Sequence, residues 1–530
     1  MRHRVSRRIV AAGRRLPPGA RRQFRRVADE LVTRLTSPAP ARGPAQTVTC
    51  FDYWAHLAEL SDDAVAALTG AGIEVVRLER DGRTVLAVPA EARAAALAAL
   101  AGHPATAACW LAAGRRRPVQ TGSGATVPDG DDLSLFRSIA APDGTVLTGS
   151  ADGLKLQFWR AAGARTPRPD GGVHPVGTRL APTRNHTAPY LTPQLWRQVQ
   201  SDDQRRLLPA ATPHLLSLSE PVDIVYTWVD DSDPEWRRRR SSVSPVGELS
   251  TDALHTGRTR SRDELRYSLR SVASHAGWFR HIWLVTDGQR PPWLADHPRL
   301  TVVSHRDIFS DPGVLPTFNS HAIESQLHHI DGLSEHFVYL NDDVFIGRPI
   351  RPETFFTSNG LAKFTVAPIA IDRQLEPARL NGAMLAARNN RELLAAEFGR
   401  SITNRIQHIP HAHRRSSLAE LERRHPEAIA RVAASRFRSA ADLSVASELG
   451  HYWAYATGAA VTTRLAFQYV DIGSAVAAEQ LDSLLARRNK DCFCINDAGP
   501  YPEPVDAGRI TDFLSAYYPV PSPFEHGTAG

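Results

Sequence analysis

Strand-like and helical patterns alternate between residues 222 and 341, and this alternation restricts the fold more than any other feature of the sequence. Four runs rich in β-branched and aromatic residues predict strands: VDIVYTWV (222–229), HIWLVTD (281–287), LTVVS (300–304) and HFVYLN (336–341). The segments between them carry apolar residues at helical spacing. Such an order predicts an α/β fold with a doubly wound, mainly parallel sheet.

The ends of these strands carry carboxylates, at Asp230-Asp231, Asp287 and Asp342-Asp343. Ligands of doubly wound sheets bind beyond the carboxyl ends of the strands. Asn341 and the Asp342-Asp343 pair could hold a hard divalent cation that bridges nucleotide phosphates. A solvated turn is the alternative, because Asn and Asp are common turn formers.

Two further residues belong to the first strand. Asp223 stands at its start, where we expect a structural role. Asp230 stands at its end, where it could meet a nucleotide or cap the turn that follows. Further along, Ser261 and Glu264 match the S-x-x-E pattern of a capping box and predict the start of a helix.

A histidine-rich segment follows the last of these strands. His408 and His411 flank Ile409-Pro410, and Arg438, Glu448 and His451 follow. A histidine can take a proton from an attacking hydroxyl, and an arginine can stabilise charge on a transferring phosphoryl group. Zinc binding is disfavoured because no cysteine or HExxH pattern lies nearby in the sequence. Structural packing of the histidines remains the other interpretation.

Residues Asn319 to Glu324 form the predicted start of a helix. Asn319 or Ser320 would cap it, and His321 and Glu324 lie three residues apart on its polar side. The N–H groups of a first turn favour an anion, although an ordinary amphipathic helix would look the same. The sequence has no P-loop, GxSxG or Rossmann glycine fingerprint, so these enzyme classes lose support.

The 530 residues are enough for two to four domains. We expect a basic arm and linker at 1–46, and a small N-terminal α/β accessory domain with a Pro/Gly-rich connector at 47–215. A catalytic domain should cover 216–525 and include a mainly helical part at about 378–455.

Residues 1–26 contain ten Arg and no acidic residue. The rest of the chain has 53 basic and 56 acidic side chains, which argues against a nucleic-acid-binding core. The arm fits an anionic membrane surface. No apolar run is long enough to span a bilayer, and the start lacks the pattern of a secretory signal. We therefore expect a cytoplasmic protein. The arm either holds it at the inner face of the membrane or is a disordered, solvated tail.

Read in order, four long segments resemble the Stealth family of capsular and exopolysaccharide phosphotransferases, which includes the catalytic part of animal N-acetylglucosamine-1-phosphotransferase. The segments are DIVYTWVDDSDPEW (223–236), DELRYSLRS to NDDVFIG (263–347), HIPHAHRRSS to FRSAADLS (408–444), and KDCFCINDA with YYPVPSPFE (490–525). Two positions depart from the pattern that the family usually shows. Asp231 stands where Gly is usual, and Ser261-Arg262 stands where an Asp-Asn pair is expected.

The resemblance implies transfer of a hexose or N-acetylhexosamine 1-phosphate from a UDP-sugar to an acceptor glycan, with release of UMP. By the same resemblance, Asp342 and Asp343 match the acidic pair at the metal and donor site, served by Mg²⁺ or Mn²⁺. His408 and Arg438 match the catalytic histidine and arginine, with His411 as the alternative base. The last matched block contributes Asn496 to the donor site and Asp497 to the metal site, and Asp230, Asn319, Glu324 and Asn341 complete the expected donor site.

Two other functions remain open at this point. A metal-dependent glycosyltransferase could use the same acidic pair, attack the anomeric carbon and release UDP. An Arg-tailed, non-enzymatic protein that binds membranes or nucleic acid is the second alternative. The released nucleotide distinguishes the first from phosphotransfer, and deletion of residues 1–26 distinguishes the second.

Overall fold

The computed structural model describes residues 45–526 except 81, 115, 184, 186, 209–213, 244–261, 372–380 and 498–506. The Arg-rich arm, Ser261 and part of the predicted helical region therefore lie outside the described residues. The chain divides into two compact units. The first contains residues 57–207 and the strand Gln46–Thr47, and the second contains residues 48–56 and the chain from 208 onward.

The first unit is built on an eight-stranded mixed sheet. Its helices are Arg93–Gly102, Pro193–Gln200 and most of Tyr53–Gly70, which begins in the second unit. The sheet contains the strands Val76–Arg80, Arg83–Pro89, Trp110–Ala112, Val119–Gln120, Asp132–Phe136, Leu154–Ala161, Arg179–Leu180 and Tyr190–Leu191. Fully buried Leu86, Leu111, Leu133 and Leu156 form part of its core.

The second unit contains the strands that bear on the candidate site. They are β1 (Val222–Thr227), β2 (Ile282–Thr286), β3 (Leu300–Ser304), β4 (His336–Asn341), β5 (Val344–Ile346), β6 (His411–Arg414), β7 (Phe467–Asp471) and β8 (Cys492–Asn496). The main sheet has the order β3-β2-β1-β4-β6, in which the first four strands are parallel. A second sheet has the order β5-β8-β7.

Both faces of the main sheet are covered, as the continuous apolar character of its strands requires. Ile224 and Tyr226 of β1 pack with the helix Glu264–His275, whereas Val225 between them packs with Ala322 and Leu327 on the opposite face. Side chains alternate along a strand, so one strand contributes to both cores. The predicted α/β class with a doubly wound, mainly parallel sheet is confirmed.

The region from 378 to 455 is only partly helical. It contains the helices Gly382–Phe398, Arg415–Arg424, Pro426–Ala433 and Gly450–Ala456 and a π-helical turn, Val445–Leu449. However, it also contributes β6, which pairs antiparallel with β4. The part expected to be mainly helical therefore also contains a strand of the main sheet: His411 begins β6, and His408 lies three residues before it. The alternating apolar residues of HIPHAHR are too few to give a strand pattern.

The remaining elements of the second unit are short, apart from its C-terminal helices. The helices are Pro234–Val243, His305–Ile308, Ser320–Glu324, Ala477–Arg487 and Ala507–Tyr517, and the strands are Ala362–Phe364, Val366–Ala370, Asn404–Ile406 and Ala460–Thr462. Within the described ranges, no helix has the length and apolar character needed to cross a bilayer.

Residues 48–56 form a strap that belongs to the second unit although they lie far from it in the sequence. The Trp54 indole Nε1 donates to the carbonyl oxygens of His275, at 3.1 Å, and Ile350, at 3.0 Å. Gly277 is needed beside the strap because a Cβ atom at that position would overlap the Asp52 carboxylate. The strap is thus fixed by side-chain contacts across more than 200 residues of sequence.

Glu525 holds the C-terminal end of the second unit in place. Its side chain is 1% exposed and accepts hydrogen bonds from Arg270 at 2.7–2.8 Å, from Arg266 at 2.6 Å and from the Ser522 backbone N–H at 2.8 Å. Burial alone would raise the pKa of Glu525, but these donors outweigh it and lower the pKa.

Glu525→Gln is expected to lower the free energy of unfolding by about 3 kcal/mol at pH 7, because it leaves two arginines without their buried partner. The lowered pKa means that this contribution is present above the unfolded-state pKa and is lost as the pH falls through the folded-state value. Denaturant unfolding at pH 7 and pH 3.5 measures the difference. The matched control is Asp296→Asn, whose carboxylate is 98% exposed beside Arg290 and should contribute under about 1 kcal/mol. Equal effects of the two substitutions would contradict this account.

Candidate active site

The candidate site lies where the order of the main sheet reverses, between β1 and β4. β1 has β2 on one side and β4 on the other, so the connections leave in opposite directions. Thr227 and Asn341 are paired at the carboxyl ends of these strands. A crevice opens at such a switch point, and ligands of α/β sheets bind there. Asp342 and Asp343 follow Asn341 directly and therefore lie at this edge.

Asp343 is the most connected residue of the site. Its Oδ1 lies 3.4 Å from His408 Nε2, an ion-pair distance. Its Oδ2 accepts from the Asn496 amide at 2.9 Å and lies 3.3 Å from Cys494 Sγ. The structure thus brings together three residues that are far apart in the sequence, and His408 and Asn496 were both predicted site residues.

The second sheet explains why Cys494 and Asn496 reach Asp343. β8 pairs antiparallel with β5, which begins directly after the acidic pair, and Val344 is the register partner of Cys494. The Ile495 N–H donates to the Asp343 carbonyl at 3.0 Å. Cys494 and Asn496 are two residues apart on a strand, so their side chains lie on the same face.

The negative charges of the carboxylates at the site repel one another. Burial, together with the Glu264 and Asp343 carboxylates, raises the pKa of Asp342 well above its usual value. Burial also raises the pKa of Glu264, and Asp343 adds to that rise. Burial would raise the pKa of Asp343 as well, but His408, Cys494 and Asn496 reverse the effect and lower it. Three acidic groups therefore share one partly enclosed space.

Arg262 is the cation placed against this group. Its guanidinium lies 2.8 Å from Asp497 Oδ2 and 3.5 Å from Glu264 Oε1. Asp497 is therefore engaged by an arginine that stands where the family usually has another residue type. Its role as a metal ligand stays a prediction.

The predicted capping box at Ser261 and Glu264 is wrong. The helix begins at Glu264 and its N-cap is Asp263, which has a left-handed φ of 63° and makes no side-chain capping bond. The Glu264 carboxylate accepts from the Arg262 N–H at 2.5 Å. The Glu264 carboxylate is thus tied to the backbone at Arg262.

His408 is surrounded by charged groups of both signs. Burial would lower its pKa, but the Asp343 and Glu324 carboxylates outweigh burial and the Arg405 guanidinium, and they raise it. Glu324 is held by the Ser447 N–H at 3.1 Å, and Arg405 pairs with Glu448 at 3.2 Å. The raised pKa makes His408 a stronger base than an ordinary histidine.

His411 differs from His408 in its exposure, in its partners and in the direction of its pKa shift. It is 2% exposed, and its Nδ1 lies 2.9 Å from His451 Nε2. Its ring stacks on Tyr339, and His413 stacks on His451. Burial, with His408 and His413 nearby, lowers the pKa of His411 well below its usual value. His411 is therefore a neutral, packed histidine, which favours the structural interpretation for this residue.

The helix Ser320–Glu324 links several predicted residues. Asn319 is its N-cap and is fully buried, and its amide donates to Asp442 Oδ2 at 2.8 Å. His321 Nδ1 lies 3.2 Å from the same oxygen. Arg438 donates to Ser320 Oγ at 3.0 Å. Asn319 therefore positions the helix, while Arg438 and Glu324 stand at its two ends.

The other strand-end carboxylates have partners of their own. Asp230 Oδ1 accepts from the Ser232 N–H at 2.8 Å, so it caps the turn as the alternative interpretation held. Asp287 pairs with Arg239 at 3.0 Å. Asp223 is fully buried and accepts from Arg280 and from the Trp283 indole, which agrees with a structural role. A contact of Asp230 with the donor stays a prediction.

Four residues that the described part of the chain brings to the site were not predicted: Arg262, Glu264, Arg405 and Cys494. Glu264 was assigned to a helix cap, and nothing local to Arg405 marks it. The pattern of alternate residues in CFCIN could have indicated that Cys494 and Asn496 share a face. The argument against zinc assumed that no cysteine lies near the histidines. Cys494 is far from His408 in the sequence, but it lies close to His408 in the folded chain. Asp343, His408 and Cys494 place their ligand atoms within 4.8 Å of one another.

Comparison with known proteins agrees with the resemblance. All four conserved regions of the Stealth protein family match, in order, at residues 220–245, 258–364, 407–455 and 482–529. The exopolysaccharide phosphotransferase SCO6023 of Streptomyces coelicolor is 44% identical over 478 residues, which cover 87% of this chain and 81% of that protein. The exopolysaccharide phosphotransferase CpsY of Mycobacterium tuberculosis is 42% identical over 74% of this chain and 73% of its own length.

The chain belongs to the Stealth protein family and is a phosphotransferase. The predicted family is confirmed, and the non-enzymatic alternative is excluded. Among solved structures, the galactosyltransferase LgtC aligns with 56% of this chain and 95% of its own, at 10% identity and a TM-score of 0.28. That likeness is too weak to bear on the reaction.

Proposed function

We propose that the protein transfers a hexose or N-acetylhexosamine 1-phosphate from a UDP-sugar to a hydroxyl group of an acceptor glycan and releases UMP. The proposal rests on the side chains that lie close together at the switch point of the main sheet. These are Asp342, Asp343, Glu264 and His408. The names of the relatives support an exopolysaccharide as the acceptor.

A divalent cation fits this site. Asp342, Asp343 and Glu264 crowd together. Within the described part of the chain, the buried Asn341 Oδ1 has no hydrogen-bond donor, and Asp343 Oδ1 faces only His408 Nε2, at an ion-pair distance of 3.4 Å. Hard cations such as Mg²⁺ or Mn²⁺ prefer carboxylate and carbonyl oxygens. Asp342 and Asp343 would hold the ion, with Asp497 available once it leaves Arg262. When bound, the ion would neutralise the donor diphosphate.

The protein's own residues account for the rest of the reaction. The acceptor oxygen attacks the phosphorus that carries the sugar, and the bond from this phosphorus to the oxygen of UMP breaks. The glycosidic C–O bond stays intact. His408 takes the acceptor's proton at Nδ1, while Asp343 faces Nε2 and stabilises the imidazolium that forms. Arg438 pairs with non-bridging phosphate oxygens, which suits its planar guanidinium.

Analysis of the released nucleotide tests the proposal. The protein is incubated with a panel of UDP-sugars, Mg²⁺ or Mn²⁺ and candidate oligosaccharides, and the products are separated by chromatography. UMP together with a new sugar phosphodiester, detected by phosphorus NMR, is the expected result. UDP with a new glycosidic bond would instead establish the glycosyltransferase, which uses the same acidic pair.

Removal of divalent cations is expected to lower turnover by at least about 100-fold, because the crowded carboxylates would then repel the donor diphosphate. The measurement is UMP release after treatment with excess EDTA and again after Mg²⁺ or Mn²⁺ is restored. Full recovery on restoring the ion is the control for irreversible loss. Undiminished activity in EDTA would contradict the requirement for a cation.

We also propose that residues 1–26 hold the enzyme at an anionic membrane surface. Ten arginines should each contribute up to about 1 kcal/mol of binding near such a surface, and salt should weaken the attraction. Flotation with phosphatidylserine vesicles is expected to carry the full chain and leave a chain lacking residues 1–26 behind. Neutral vesicles are the control. Equal flotation of both chains at low salt would refute the proposal.

A further inference from the structure

A second group of metal-binding side chains lies apart from the Asp343 site and shares no residue with it. His328 and His329 belong to the 3-10 turn Leu327–His329, and Glu422 belongs to the helix Arg415–Arg424. The Nε2 atoms of both histidines lie 2.7 Å from the same Glu422 oxygen, Oε2. The ring centroids of the two histidines are 4.1 Å apart.

A contact with the backbone determines which nitrogen of the His329 ring carries a proton. His329 Nδ1 lies 2.9 Å from the Ile308 carbonyl oxygen. A carbonyl oxygen only accepts, so this nitrogen must carry the proton. A neutral His329 then presents its Nε2 lone pair to a carboxylate oxygen at 2.7 Å, which is repulsive. A positive charge must therefore lie between His329 Nε2 and Glu422 Oε2. It can be a second proton on His329 or a metal ion.

The surroundings favour a metal ion as a lasting occupant. A metal-bound histidine usually donates its other N–H to a carbonyl or carboxylate, which orients the ring as Ile308 orients His329. The His329 and Glu422 side chains are each 26% exposed, whereas that of His328 is 3% exposed. The site therefore has a buried wall and an open side, from which an ion and a water ligand can enter.

We propose that His328 Nε2, His329 Nε2 and Glu422 Oε2 form a binding site for a divalent transition metal of the zinc class. Zinc is commonly held by two histidines, one carboxylate and a water at about 2.0–2.2 Å. Tetrahedral bonds of that length separate the ligand atoms by about 3.3 Å, so the two 2.7 Å contacts must widen by roughly half an ångström. The side chains of His329 and Glu422 can make this movement because both are partly exposed.

The bound ion would replace the proton now shared by His329 and Glu422, and that proton would leave to solvent. It would also join the turn Leu327–His329 to the helix Arg415–Arg424. Arg415 already makes part of this connection, since its Nε donates to the His328 carbonyl at 3.0 Å. The site is therefore proposed as a structural one, independent of the transfer reaction.

The test is titration of the full chain with Zn²⁺ by calorimetry, and with Co²⁺ by absorption spectroscopy. Both are performed in an Asp342→Asn/Asp343→Asn background, which weakens metal binding at the catalytic cluster. One ion per chain with a dissociation constant below about 10 μM is expected, with release of about one proton per ion. Glu422→Gln and His329→Ala should each weaken binding at least about 100-fold.

His425→Gln is the matched control, because His425 follows the same helix and its imidazole lies 3.3 Å from the Glu397 carboxylate, an ion-pair distance. It should bind zinc as tightly as the background. Protection of His329 from diethylpyrocarbonate by Zn²⁺, read by mass spectrometry, tests the site without any substitution at it. No saturable binding, unaltered binding in both variants, or unprotected His329 would overturn the proposal.

Discussion

Asp343→Asn is expected to lower kcat/KM for sugar-phosphate transfer by about 1,000-fold or more, equivalent to about 4 kcal/mol of transition-state stabilisation. The substitution removes the anion that faces His408 and that would hold the cation, while an amide of the same shape still fits beside Cys494 and Asn496. Steady-state UMP release measures the effect. Circular dichroism and the melting temperature verify that the fold is kept.

The matched control for this substitution is Asp287→Asn, which changes a carboxylate at the same edge of the main sheet. Asp287 pairs with Arg239 and has no contact with His408. Its loss should change kcat/KM by less than about tenfold. A similar loss in both variants would mean that the general negative charge of this edge matters, rather than the particular position of Asp343.

His408→Ala is expected to lower kcat by about 100- to 10,000-fold, the range typical of a lost general base, and to leave UDP-sugar affinity within a few fold. The reason is that His408 faces Asp343 and would act on the acceptor's proton rather than on the nucleotide. Donor affinity by calorimetry, measured beside the steady-state rate, separates the two contributions. A defect confined to donor affinity would remove His408 from the role of base.

His411→Gln tests the alternative base. His411 is buried in a stack of neutral rings, and its substitution should cost stability more than rate. The expected result is a lower melting temperature with kcat within about tenfold of the parent at a temperature where the variant is folded. A His411 variant as slow as His408→Ala, combined with a near-normal His408→Ala, would transfer the base assignment to His411.

The sequence was sufficient to predict those parts of the fold that depend on local rules. The strand HFVYLN is observed with the predicted bounds, Asn319 caps its helix, and Asp342-Asp343 lies at the predicted edge of the sheet. Each of these follows from periodicity, capping or strand direction, which act within a few residues. The four conserved segments, read in order, also identified the family.

The parts that were missed depend on contacts between distant segments. β6 is an edge strand of four residues, and its pairing with β4 decides its structure more than its own pattern does. The spacing of Glu264 fits a capping box. Its carboxylate, however, accepts a hydrogen bond from the Arg262 backbone N–H and lies near the Arg262 guanidinium. Cys494 reaches Asp343 because β8 pairs with β5 across about 150 residues. Such pairings have no local signal in a single sequence.

The strap at residues 48–56 sets an order of events for folding on the ribosome. Trp54 is made 221 residues before His275 and 296 residues before Ile350, the two residues whose carbonyls it contacts. At about 5–20 residues per second, the second of these delays lasts roughly 15–60 s. Residues 57–207, whose contacts are mostly their own, can fold during that interval. The strap can make its contacts only after residue 350 has been synthesised, and the contacts of Glu525 with Arg266 and Arg270 form only after residue 525 has been added.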